Sequence, residues 1–378
     1  IEIARDYDMS VERFYFSVLR SYQEMHENYF DEIESAAIQC RRQFFGQQSL
    51  ITPGDIELIL SDKLGYQIDN QTMQQFESLK SLRSVFVPGQ VPRLLLNPTL
   101  NEGQRSFALA RELGYAWMQI TDRANTFAWI KLESFEQLLN NFKASYFASA
   151  LLIPRDPLVA QMQQFFQLTK WNEQAFLAIM QQYGASPEMF LYRLTNIAPR
   201  FLGMPNLFFL RFHHQRGTSR FLLNKELHLA GLHNPHSSMV KDNYCRRWVA
   251  IHALQDLEKL QAQVGAATQP MLCKVQRSQY FDSQNEYFCI SLAGGIYPTP
   301  RTNRSVTIGL LMNDSFRKSV KFWDDPAISV KQVGVACERC AAENCQERVA
   351  EPVVLLEKQK SQQMQDALSR LTQTEQPG

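Results

Sequence analysis

No charge of either sign dominates this chain. Its 378 residues hold 39 Lys plus Arg against 38 Asp plus Glu, a net charge of +1. A dedicated nucleic-acid surface shows a basic excess, so DNA contact is expected from a segment other than this one. Long apolar runs are lacking too: the stretch 147–153 is among the longest and is far too short to span a bilayer. No charged-then-apolar leader opens the chain, which starts at Ile1 without a Met and so reads as a fragment or processed product. There is no Gly-x4-Gly-Lys-Ser/Thr or Gly-x-Gly-x-x-Gly phosphate loop, no Gly-x-Ser-x-Gly nucleophile elbow and no internal repeat.

What is present fits a globular protein of two or three domains: 45% apolar and 20% charged residues. Seven cysteines is an odd number, and three of them crowd into residues 337–345. Such crowding points to metal binding more than to disulfides, and to a cytoplasmic setting. The Asn303-Arg-Ser305 sequon then has no meaning.

Apolar residues recur every three or four positions over 9–45, which predicts one long helix stopped by Gly46. It could link to an upstream module, pair with a second subunit or pack on its own domain. Thr52 and Pro53 open a second helix that ends before Gly65. Two short extended runs are expected over 83–97, then helices over 101–119, 133–153, 156–166, 172–182 and 187–197. After Gly203 the texture changes. Strands are expected over 207–212, 219–223, 272–277, 287–292 and 305–312, with a helix over 242–260. The stretch after Leu356 reads as a frayed helix or disorder. The fold class is therefore α+β, a helical half followed by an α+β half with antiparallel strands.

The run Gln104-Arg-Ser-Phe-Ala-Leu-Ala-Arg-Glu-Leu-Gly-Tyr115 resembles the metal helix of the ImmA/IrrE family, whose members carry His-Glu-Leu-Gly-His. In an active zincin two His four residues apart bind zinc and the Glu is the general base. Here the ligand positions hold Arg111 and Tyr115, and only Glu112 survives. The run Lys143-Ala-Ser-Tyr-Phe-Ala-Ser-Ala-Leu-Leu-Ile-Pro154 is similar to the family's third-ligand helix, with Lys143 where the ligand Glu would stand. A charged Arg or Lys cannot ligate zinc. The resemblance implies a kept fold and a lost peptidase, hence no enzyme. The old cleft is either a buried ion-pair network or a pocket for an anionic group. Its candidate ligand contacts are Arg105, Arg111, Glu112, Tyr115, Lys143, Tyr146 and Arg193.

Three thiolates on one short loop can converge on one metal centre. Spacing alone leaves iron–sulfur and zinc level. The fourth ligand is not local: Cys273 and Cys289 sit in apolar runs where Cys packs as a small hydrophobe, whereas Cys245 is expected to open a helix among polar neighbours. The segment from Val335 to Pro352 resembles the signature Cys-x-x-Cys-x4-Cys-x-x-Arg-x-x-x-Pro of the short-chain fatty acyl-CoA regulator family, with Arg348 and Pro352 at its end. Cys245 and Trp248 match that family's Cys-x-x-Trp, and Gly203, Pro205 and Phe208 its Gly-x-Pro-x-x-Phe. The resemblance spans about residues 10–355. It implies an XRE-type helix-turn-helix domain before Ile1, short-chain acyl-CoA as effector, a homodimer, and a four-iron cluster on Cys245, Cys337, Cys340 and Cys345, with zinc as the alternative. It divides the chain into a helical connector (1–80), a degenerate ImmA/IrrE-like domain (81–200), a sensor domain (201–356) and a polar tail (357–378). Two features depart from the family: Met312 replaces a Cys in a Gly-Leu-Gly-Cys stretch, and its Ser-Lys-Arg turn is only echoed by Ser219-Arg220. Arg246 and Arg247 could face a negative cluster, a phosphate or plain solvent. His213 and His214 are expected after a strand and His228, His233 and His236 in a loop, as solvated groups or as metal ligands.

Overall fold

The computed structural model describes residues 11–126, 134–229, 243–264, 270–281, 283, 285–296, 299 and 301–373. The helical half opens with α1 (Val11–Met25) and α2 (Asp31–Phe44). The single helix expected over 9–45 is therefore two. The chain turns at Glu27 and Asn28, both at φ +52°, a region that asparagine tolerates better than most residues. Asn28 is fully buried. Its amide donates to Thr195 Oγ1 at 2.8 Å and accepts from Gln23 Nε2 at 3.0 Å, and its carbonyl accepts from Asn196 Nδ2 at 2.9 Å. The apolar period survives the turn because both helices face one core, where Tyr22 stacks on Phe30 at 5.3 Å.

Thr52 and Asp55 form a reciprocal cap on α3 (Pro53–Leu58), which continues as a π turn over Ile59–Lys63 and ends before Gly65 at φ +70°. A small sheet follows, with β1 (Gln67–Asp69), β2 (Ser84–Val87) and β3 (Arg93–Leu96) in the order β1-β3-β2. β1 is three residues long, too short to leave a periodic signal. Five helices complete this half: α4 (Glu102–Trp117), α5 (Phe135–Leu152), α6 (Arg155–Phe166), α7 (Glu173–Gln182) and α8 (Pro187–Phe201). Asn101, Ser134, Asn172 and Ser186 cap α4, α5, α7 and α8 through their side chains.

The second half is a six-stranded sheet ordered β5-β4-β8-β7-β6-β9. Its strands are β4 (Leu207–Gln215), β5 (Phe221–His228), β6 (Leu272–Tyr280), β7 (Glu286–Gly295), β8 (Thr302–Leu311) and β9 (Ser329–Val333). All neighbours run antiparallel except β6 and β9. α9 (Val249–Val264) lies on one face, α10 (Asp314–Ser319) follows β8, and α11 (Val353–Gln373) closes the chain. The helix expected over 242–260 thus begins at 249, because Asn243, Tyr244 and Cys245 pair instead with the chain from Val335 to Cys337. The tail is helical to Gln373 and largely exposed.

The sheet is buried on both faces, which is why its strands read as near-continuous apolar runs. Leu207 and Phe209 face the helical half with Ile290, Leu292, Val306, Ile308 and Leu310. Phe208, Leu210 and Phe212 face α9, with Trp248, Val249 and Cys289. Gly309 lies opposite Phe208 across β4 and β8, and a methyl group there would sit on the Phe208 ring. Gly309→Ala is expected to destabilise the fold by about 1–3 kcal/mol through overpacking. Urea unfolding checks this, and an unchanged midpoint would contradict the contact. Among the described residues no helix is long and apolar enough to cross a membrane.

Candidate functional site

α4 and α5 are the two helices that would hold a zincin metal, and they pack closely, with Gly114 under Phe147. Arg111, Glu112 and Tyr115 are all buried on this interface. Arg123, from the loop after α4, clasps Glu112 with both guanidinium nitrogens, at 2.5 and 2.7 Å. The same guanidinium lies 3.7 Å from the ring centre of Tyr115 and 4.1 Å from that of Phe86. Tyr66 donates to Glu112 Oε1 at 3.1 Å. Arg111 Nη1 and Tyr115 Oη both donate to Asn141 Oδ1, at 2.7 and 3.2 Å. Burial pushes the Arg111 guanidinium down to about 10, and it pushes the Tyr115 phenol up.

The residue of α5 that meets the old ligand positions is therefore Asn141. Lys143 stands two residues on, about 200° around the helix, and is half-buried. Arg105 pairs with Glu57 of α3 at 2.5 Å. Tyr146 and Arg193 form a separate network on Glu34 of α2. Tyr146 donates to Glu34 Oε1 at 2.8 Å, Arg193 donates to Glu34 Oε2 at 2.9 Å, and Arg193 Nε donates to the Ile153 carbonyl at 3.0 Å. Six of the seven candidate residues thus fall into three places, an interhelical plug, a pair at the edge of α4 and a buried clamp, while Lys143 stands apart on α5. Sequence reading missed Arg123, Asn141 and Glu34. No motif marks them; each matters through a partner distant in sequence.

The second constellation surrounds Gly334. Cys245 is buried and precedes α9, which begins at Val249, rather than opening it as expected. It lies on a strand-like crossing where Tyr244 bridges Ala336, Cys245 N donates to the Val335 carbonyl at 3.1 Å, and Cys337 N donates to the Asn243 carbonyl at 2.8 Å. Gly334 N donates to Cys245 Sγ at 3.4 Å, and Trp248 Nε1 donates to the Gly334 carbonyl at 2.9 Å. A methyl group at Gly334 would lie 2.8 Å from Cys340 Sγ. Two of the sulfurs therefore flank one glycine that must stay bare. Burial pushes the Cys245 thiol up to about 11, backbone N–H groups work against this, and Cys340 and Cys337 add to it.

Arg348 gathers the loop. Its guanidinium donates to the carbonyls of Cys337 at 3.0 Å, Cys340 at 3.2 Å and Ala342 at 2.5 Å. Glu338 accepts from Asn243 N at 2.9 Å, and Glu347 meets His252 Nε2 at 2.8 Å. Cys345 is half-exposed at the rim. Arg246 stacks on Phe221 at 4.6 Å and feels Cys337 and Cys245, whereas Arg247 donates to the Gln332 carbonyl at 3.3 Å. The donor set suits a soft metal centre: thiols, a backbone N–H on sulfur and a nearby cation. Among the described residues no three Cys, His, Asp or Glu side chains stand close enough to enclose a single metal ion. Cys40, Cys273 and Cys289 are buried in apolar surroundings that push each thiol up to about 12.

Of the histidines, His213 and His214 lie inside β4 rather than after it, because that strand runs on to Gln215. His214 meets Glu258 of α9 at 3.0 Å and stacks on Phe221 at 4.5 Å. His228 ends β5. His233 and His236 lie outside the described residues.

Comparison with known proteins fits this geometry. Residues 69–195 match the IrrE N-terminal-like domain family, Peptidase_M78. No curated protein matches the chain by sequence. Among solved structures, a Mycobacterium tuberculosis transcriptional regulator superposes with a TM-score of 0.59 at 18% identity, covering 89% of this chain and 93% of that one. The chain therefore carries an IrrE-like domain within a fold shared along nearly its whole length with that protein.

Proposed function

We propose that this chain is the effector-sensing region of a transcription regulator, responsive to a short-chain acyl-CoA and acting on DNA through a helix-turn-helix segment outside the sequence described. The observation that carries this reading is the fold shared over nearly all of both chains with a protein described as a transcriptional regulator. The plugged metal site supports a regulator over a peptidase. Arg123 fills the space beside Glu112 and occupies both its oxygens, so no free carboxylate remains to activate water. Cys245, Cys337, Cys340 and Cys345 would hold an iron–sulfur cluster, which supplies an electron-accepting, oxygen-sensitive centre when bound. Gly334 N–H and Arg246 would stabilise its charge, and Arg348 fixes the loop that presents two of the sulfurs.

Switching follows if the effector binds one of two conformations more tightly. Calorimetry with the anaerobically purified chain tests the effector. Butyryl-CoA is expected to bind and to raise the melting temperature, by about 2.7 kcal/mol of stabilisation at a hundredfold excess over Kd. Zinc-dependent cleavage of a repressor, abolished by a chelator, would overturn the reading in favour of a peptidase.

A further inference from the structure

The face of β4 that looks toward the helical half carries Phe209, Arg211 and His213 in alternation. Register places Lys225 opposite Arg211 and Arg304 opposite His213. Three cations and an imidazole therefore share one patch on β5, β4 and β8. The patch meets the first turn of α8, where Glu188 takes Arg211 at 2.6 Å, Arg304 at 2.8 Å and Lys225 at 3.6 Å. Arg83 also bears on Glu188 electrostatically. The next carboxylate along β5, Glu226, is engaged elsewhere, with Arg20 at 3.0 Å. Among the described residues Glu188 is thus the one carboxylate paired with the three cations. The amino end of α8 adds further positive potential.

The balance is unequal. Arg211, Lys225 and Arg304 carry three positive charges, Arg83 adds a fourth nearby, and Glu188 carries one negative, leaving a positive surplus in a largely desolvated place. Such a surplus is costly unless something neutralises it. Burial works to raise the Glu188 carboxyl, but the surrounding cations outweigh it and hold the group well below its usual range. Burial pushes the Lys225 ammonium down to about 8, and burial with Arg211 and Arg304 pushes His213 down to about 4. Asn224 Oδ1 accepts from Arg211 Nε at 2.9 Å, so its amide nitrogen faces His213 Nδ1 at 2.8 Å. The proton of neutral His213 then sits on Nε2, which is buried and without a partner among the described residues. The patch is not sealed, since the Arg304, Arg211 and Lys225 side chains keep 14%, 23% and 32% of their exposure.

We propose that this patch binds a phosphate monoester of the effector through Arg211, Arg304 and Lys225, with His213 Nε2–H as a fourth donor and Glu188 holding the cations in place until the ligand arrives. A monoester carries close to two negative charges at neutral pH and three acceptor oxygens, more of both than a carboxylate brings to this positive surplus. Two guanidinium forks and one ammonium suit those oxygens. The inference rests on the effector-sensing function above, and its test separates the two.

Coenzyme A, dephospho-coenzyme A and adenosine monophosphate are titrated by calorimetry into the full chain and into the Arg211→Gln/Arg304→Gln and Glu188→Gln variants. Coenzyme A is expected to bind the unaltered chain at least about tenfold tighter than dephospho-coenzyme A, and the double variant to erase that gap. Glu188→Gln is expected to tighten both monoesters and to be restabilised by them, which a purely structural ion cluster would not show. Equal binding of the two coenzymes, or an undiminished gap in the double variant, overturns this site while leaving the effector reading intact. Adenosine monophosphate binding that the double variant loses, with no binding of any coenzyme, upholds the site and overturns the acyl-CoA reading. No binding of any monoester overturns the site.

Discussion

Purified without oxygen, the chain is expected to carry iron and inorganic sulfide in equal amounts, about four of each, and Cys245→Ser to lose at least about tenfold of both. Cys245 is the informative position because it lies far in sequence from the other three cysteines and reaches them only through the fold. Its sulfur accepts from Gly334 N–H, and Trp248 holds that glycine from the other side. A serine there keeps the size and backbone but offers a poor ligand for iron. Cys273→Ser is the control, since Cys273 packs in a separate apolar core, and it should keep its iron. A colourless protein with one zinc and no sulfide would sink the cluster and leave a structural metal site. Iron that survives Cys245→Ser unchanged would remove Cys245 from the ligand set.

Glu34→Gln is expected to cost about 3–5 kcal/mol of stability, the loss typical when one partner of a buried ion pair is removed. The Arg193 side chain is 0% exposed and that of Glu34 3%. The variant leaves a guanidinium in the core with a neutral partner, and Tyr146 loses a charged acceptor. Urea unfolding measures this, with a shifted midpoint and an unchanged slope. Glu34→Leu combined with Arg193→Met should recover much of the loss, because the pair's own desolvation then disappears. Arg155 and Asp156 give the contrast. Asp156 is 76% exposed, so Asp156→Asn should cost less than about 1 kcal/mol. A small effect at Glu34 would mean that water reaches the clamp.

Local signals in the sequence were reliable where the cause is local. Thr52 and Ser186 mark helix starts because a short polar side chain there satisfies a nearby N–H. The paired runs around Pro88 and Gly89 mark β2 and β3 for similar reasons. Long-range causes left no such trace. The turn at Glu27 and Asn28 lies within an unbroken apolar period, and it exists because α8 offers Thr195 and Asn196 to a buried amide. Lys143 occupies the aligned metal position, yet helix phase gives the contact to Asn141. Arg123 lies in no motif, and it closes the old cleft because both the Glu112 carboxylate and the Tyr115 ring can take a guanidinium. Glu188 reads as an ordinary acidic residue in a first helical turn. Only strand register reveals three cations waiting beside it. The cysteine loop was legible from spacing, but the part of Gly334 was not, since a missing side chain is informative only once its neighbours are placed.

α8 also has a mechanical consequence. Its 15 residues make a rod about 22 Å long. Glu188 stands at one end of it against the sheet. Farther along, Arg193 grips α2, while Thr195 and Asn196 grip the turn that joins α1 to α2. A stiff rod held at several points cannot be displaced at one of them alone. Glu188 and the turn that joins α1 to α2 are therefore held by one and the same helix.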